Sequence, residues 1–143
     1  MLKLSKLTDY AVIVLGNLSQ QQGRPVSASF ISAKTKLPEP TVQKVLKLMA
    51  SAKIITAIRG AHGGYIVPLA LNCISIADVV EAIEGPLELA PCHNDNENDC
   101  ALAKMYAPKN RWNTVNVAIK STLDSIRVSD LITTKNIKTK ELV

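Results

Sequence analysis

The stretch "KIITAIRGAHGGYIVPLA", residues 53–70, limits the fold more than any other part of the chain. Two β-type runs, "IITAIR" and "GYIVPL", flank a glycine-rich tip, and this pattern predicts a hairpin. Three helical patterns precede it. Leu7, Tyr10, Ala11, Val14, Leu15 and Leu18 recur at helical spacing and form one apolar stripe, which "QQGRP" ends. Ser27 is placed to cap a short second helix carrying Phe30, Ile31 and Ala33. After the "KLPEP" turn, Pro40 suits the first position of a third helix. There Val42, Val45, Leu46 and Met49 face inward, while Thr41, Gln43, Lys44 and Lys47 face out. Two short helices joined by a tight turn, then a hairpin, predict a winged helix-turn-helix, mostly α with one small β-hairpin.

Charge is divided unevenly along the chain. Residues 1–72 hold nine Lys/Arg against two acids, a net +7, within a total of +5. Residues 73–110 hold two Lys/Arg against seven acids, a net −5. A basic block of this kind attracts a polyanion, and duplex DNA is the default partner. An arginine on a thin glycine loop suits the narrow minor groove, where negative potential concentrates. Arg59 stands at the base of such a loop, and Gly60, Gly63 and Gly64 give its backbone conformations closed to other residues. His62 at the tip is either a phosphate contact or an exposed side chain without a task.

Four spans follow from these shifts: a DNA-binding unit at 1–72, a connecting helix and acidic cysteine loop at 73–110, a dimerisation helix at 111–132 and a flexible tail at 133–143. In "SIADVVEAIEGP" Ser75 caps a helix, Asp78 completes a capping box, and Gly-Pro stops it. Trp112, Val115, Ile119, Leu123 and Ile126 form a long stripe on the last helix, whose expected cover is a second copy of the chain. No apolar run approaches the roughly 20 residues of a membrane helix, so no membrane partner is expected. The N-terminal "MLKLSKLTDYAVIVLGNL" is interrupted by Asp9 and Asn17 and lacks a cleavage site, so the expected location is the cytoplasm. Three cysteines do not make a disulfide framework. The chain has no C-x-x-C at a helix start, no Ser/His/Asp set and no phosphate loop. Neither an enzyme nor a small-molecule substrate is expected.

On "LSKLTDYAVIVL", "RGAHGGY", "ISIADVVEAIEGP" and the cysteine loop running into "RWNTVNVAIKSTL", residues 1 to about 125 resemble the IscR/NsrR-type family of bacterial winged-helix regulators (the Rrf superfamily). "SKLTDYAV" and "GAHGGY" are most similar to regulators of the SUF iron–sulfur assembly system. The resemblance implies a homodimer on a palindromic operator, recognition helices in the major groove and wings in the flanking minor grooves. Carried onto this chain, Thr41, Gln43 and Lys44 read bases, and Arg59 enters the minor groove. Gln43 can pair bidentately with adenine and Lys44 can donate to guanine. Lys3, Lys6 and Lys47 are suited to phosphates.

The resemblance also implies an iron–sulfur cluster (2Fe–2S or 4Fe–4S) that reports cluster, redox or nitric oxide status to iron–sulfur assembly genes. Cys92 and Cys100 match the first two thiolate positions, but Ala107 occupies the third. Asp9 matches a position that supplies an oxygen ligand in some relatives. Its other reading is a helix N-terminal acid complementing the macrodipole. His93 directly follows Cys92, which makes shared ligation of one iron awkward, and Cys73 reads as a half-buried structural thiol. Ala107 therefore replaces a native cysteine, or belongs to a labile or smaller cluster site, or marks a natural apo regulator. A metal-free thiol-redox repressor and a winged protein-interaction module remain as alternative functions.

Overall fold

The computed structural model describes residues 3–87 and 112–132. Helix α1 spans Lys6–Gln20 and buries Ala11, Val14, Leu15 and Leu18, the middle of the expected stripe, with Leu7 and Tyr10 half-buried at its start. Helix α2, Ala28–Thr35, begins where the Ser27 hydroxyl accepts the Phe30 amide at 3.2 Å. Only Ile31 is buried; Phe30 is 38% exposed and Ala33 is exposed. A two-turn helix meets its neighbours along one narrow edge, and the Phe30 ring instead lies under the Lys34 ammonium, 5.7 Å away.

Between α2 and α3 the chain passes through Lys36 in a left-handed conformation, φ 60°. Thr35 Oγ1 donates to the Ile31 carbonyl at 2.7 Å, and Ser32 Oγ donates to the Leu37 carbonyl at 2.6 Å, so side chains satisfy the turn's loose carbonyls. Helix α3 spans Glu39–Ser51, which puts Pro40 one position later than expected. The shift is harmless because first-turn amides have no intrahelical acceptor. Val42, Val45, Leu46 and Met49 are fully buried, as the pattern predicts.

The hairpin consists of β1, Thr56–Ile58, and β2, Gly64–Ile66, with Ala57 opposite Tyr65. Ile54 and Ile55, read as strand from sequence, precede β1 and are buried in the core. Val26 bridges Tyr65 through backbone bonds of 3.1 and 2.8 Å, which fastens the hairpin to the start of α2. A 3-10 turn at Leu71–Cys73 leads into α4, Ile76–Glu84, which carries the expected capping box of Ser75 and Asp78. Cys73 is exposed rather than half-buried, because the neighbouring Ile74 takes the inward position.

Helix α5, Asn113–Ser125, runs antiparallel to α4. Lys120 pairs with Glu81 at 3.1 Å, and Ser75 Oγ donates to Asp124 at 3.2 Å. Beyond α5 the chain turns at Ile126, bridges Arg127 to Ser75, and continues as a helical turn at 128–132. Val128 is 0% exposed and joins the core formed by α1, α3 and α4, and Ile132 packs against the same core. That core is aliphatic, as an aromatic content of 3% requires. α4 packs on both α1 and α3, so the connecting helix shares one core with the first three helices.

Candidate nucleic-acid interface

Helix α3 owes its two-sided character to its sequence. Its inner face is sealed by four apolar side chains, while Gln43, Lys44 and Lys47 are exposed and Thr41 is half-buried. The stiff turn at Lys36 and the buried Ile31 fix α3 against α2, so the exposed side chains are presented on a rigid element. Gln43 is held in part: its Nε2 donates to Glu39 Oε1, one turn earlier, at 3.4 Å.

The wing carries the second group. Arg59 follows directly on β1, and Arg59, Gly60 and His62 are all exposed. Gly60 has φ +119°, in the region that favours glycine. Gly63 is needed for space. Its amide donates to the Gly60 carbonyl at 3.0 Å, and an added Cβ would lie 2.9 Å from that oxygen and closer still to the Ile58 carbonyl. Lys3 and Lys6, at the start of α1, are also exposed. The Val26–Tyr65 bridge ties the wing to the start of α2, which itself packs on α3.

Asp9 is exposed in the first turn of α1. Neighbouring Thr8 donates to Glu84 Oε1 at 2.9 Å, and the Ser5 amide donates to the same oxygen at 2.6 Å. These bonds, led by the Ser5 backbone amide, hold the Glu84 carboxyl below its ordinary value of 4.5. Sequence reading missed Glu84; the only signal was an acid at the end of a helix, where the macrodipole disfavours it. The bonds put the turn of Asp9 beside the end of α4. Since α5 runs antiparallel to α4, its start lies at the same end.

Cys92, His93, Cys100 and Ala107 lie outside the described residues. Among the described residues no group of three or more His, Cys, Asp or Glu is placed to hold a metal. The donors named from sequence are two thiolates and Asp9, and the Ala107 methyl adds none. This set falls one short of the four ligands of a typical cluster, so it does not fit a complete site.

A rigid helix-turn-helix, its polar recognition face and a glycine wing with an arginine define a winged-helix DNA-binding protein of the transcription-regulator class. Comparison with known proteins agrees. The chain belongs to the Rrf2 family, described as iron-dependent transcriptional regulators, whose sequence profile matches residues 4–134. It is 26% identical to the HTH-type transcriptional regulator CymR of Bacillus subtilis, over 91% of this chain and 89% of that one. It is also 26% identical to the regulator NsrR of Bacillus licheniformis, over 92% of each. The structure of CymR, the global cysteine regulator of B. subtilis, superposes with a TM-score of 0.64 over 92% of this chain and 96% of that one. The IscR of T. potens, 28% identical, gives 0.60 over 94% and 88%. These are regulators, not enzymes. Among the described residues no helix is long and apolar enough to cross a membrane.

Proposed function

We propose that the chain is a homodimeric repressor of the cytoplasm. It binds a palindromic operator through α3 and the wing, and regulates in response to iron–sulfur or redox status. The observation that carries this reading is the pairing of an exposed Gln43–Lys44–Lys47 face with the Arg59 wing. Thr41, Gln43 and Lys44 then read bases. Lys3, Lys6 and Lys47 hold phosphates, with His62 beside them at the wing tip, and Arg59, Gly60 and Gly63 fit the wing into the minor groove. The spans 1–72, 73–110 and 111–132 supply DNA binding, sensing and dimerisation, with α4 and Val128 also completing the core of the first, and the tail, 133–143, lies outside the described residues. The outward side of α5, with Val115 37% exposed and Trp112 50% exposed, is the proposed dimer surface. The sensing element is the acidic segment with Cys92 and Cys100, with Asp9 on the first turn of α1, which Glu84 joins to the end of α4. The description of the family as iron-dependent and the resemblance to iron–sulfur assembly regulators support this assignment. A metal-free thiol mechanism is the second reading, favoured by Ala107 and by the cysteine-regulator role of CymR.

The test is titration of duplex DNA at several salt concentrations. Affinity should fall steeply with salt, and Lys47→Ala should lower the logarithmic slope by about one. Arg59→Ala should weaken binding most where the flanks are A·T-rich. Binding that ignores both salt and Arg59 would leave only a protein-interaction module.

A further inference from the structure

Glu39 is out of place on this face. It and Asp9 are the two acids of residues 1–72, and it is exposed on the first turn of a helix otherwise presenting Gln43, Lys44 and Lys47. A carboxylate turned toward DNA is repelled by phosphates and accepts hydrogen bonds only. In the major groove its partners are the exocyclic amines of adenine and cytosine; guanine offers two acceptors there and no donor. The bond to Gln43 adds a second constraint. Because the carboxylate only accepts, the end of the Gln43 amide facing Glu39 must be its NH₂. When the hydrogen anti to the carbonyl makes this bond, the Gln43 carbonyl and its second N–H point away from Glu39 together. That is the acceptor–donor pair that matches N6 and N7 of adenine.

We propose that Glu39 is a specificity-determining residue, fixing the Gln43 amide for adenine and rejecting guanine at the same base pair. This rests on the reading of α3 as the recognition helix. Glu39 lowers total affinity for DNA and in return narrows the sequences accepted. A helix-terminal acid serving only the macrodipole would change stability and leave base preference alone.

The experiment is selection of duplexes from a random library by the full chain, Glu39→Ala, Glu39→Gln and Gln43→Ala. Competition titrations of single-base variants follow at one fixed salt concentration. The parent should enrich adenine at a position whose preference Gln43→Ala abolishes. Glu39→Ala should lower the adenine-to-guanine ratio there by on the order of tenfold, within the range of one bidentate pair, and Glu39→Gln, which keeps an acceptor oxygen but can also turn its NH₂ toward Gln43, by less; both should bind non-selected DNA more tightly. Variants that melt with the parent yet keep its adenine preference overturn the role of Glu39 alone. A parent motif with no position sensitive to Gln43→Ala overturns the recognition-helix reading as well. Glu39→Gln keeps a side chain of the same shape, so the comparison survives if Glu39→Ala is poorly folded.

Discussion

Replacing Glu84 by Gln tests how α4 is fixed to the DNA-binding unit. Ser5 is the N-cap of α1, yet its side chain makes no capping bond. One oxygen of Glu84, distant in sequence, accepts from the Ser5 amide at 2.6 Å and the Thr8 hydroxyl at 2.9 Å, and so supplies the bond to the N-cap amide that an N3 carboxylate makes in a capping box. Losing a side-chain cap costs about 1 kcal/mol. Two bonds to a carboxylate could be worth more, but Glu84 is exposed, and solvent screening holds the figure near that value. Glutamine retains an acceptor oxygen, so Glu84→Gln should cost roughly half to all of it, a fall in Tm of about 2–4 °C for a chain of this size.

The pH dependence separates this from a packing effect. The carboxyl sits below its ordinary 4.5 in the folded chain, because the Ser5 amide favours the charged form. Its contribution is therefore fully present above that ordinary value and is lost as pH falls through the lowered one. Thermal melts of parent and variant should be separated at pH 7 and converge as pH falls below 4.5. An offset that stays constant through that range, or no offset at pH 7, would refute the capping argument.

Val128→Ala removes two buried methyl groups from the segment that returns to the core, and should cost about 2–3 kcal/mol in denaturant unfolding; a loss under 0.5 kcal/mol would mean that the segment is not part of the unit. Val115→Asp on the outward side of α5 should convert dimer to monomer in sedimentation while leaving helix content unchanged, and a dimer unaffected by it would move the interface elsewhere. Anaerobic absorption spectra of the parent and Ala107→Cys should show a cluster band only in the substituted chain; a band in both would mean that the residues already present suffice.

Much of this architecture is legible in the sequence because its elements are set by local rules. The α1 and α3 stripes, the Ser27 cap and the Ser75–Asp78 box each depend on residues within a turn or two, and all appear where the pattern places them. What the sequence hides is decided between distant elements. Phe30 is apolar but lies on the outer side of a helix too short to bury two faces. Asn116 is polar yet buried, on a helix whose stripe suggested an aliphatic seam. Periodicity carried the last stripe through Ile126, but the pairing of Arg127 with Ser75 ends α5 at Ser125 and sends Val128 inward. For the interface the reading reached Gln43, Lys44 and Arg59 as types in a pattern. The i,i+4 spacing of Glu39 and Gln43 was open to the same reading, but only the 3.4 Å contact shows which end of the amide meets the carboxylate.

The connection between Glu84 and Ser5 bears on regulation because of where the intervening segment is attached. Residues 88–111 leave from the end of α4 and return at the start of α5, and antiparallel packing brings those two points to one edge. The first turn of α1, with Asp9 and the nearby Lys3 and Lys6, occupies that edge too. Two polar links connect the edge to the helices around it: Glu84 to α1, and Lys120 to Glu81 between α5 and α4. The second is an exposed ion pair and contributes little by itself. Rearrangement in 88–111 would therefore reach α1 through Glu84 as well as through the apolar packing of α4 on α1 and α3. If so, Glu84→Gln should weaken the response of operator affinity to oxidation or cluster loading while leaving affinity in one fixed state nearly unchanged. A full response in the variant would place the transmission in α5 and the dimer interface instead.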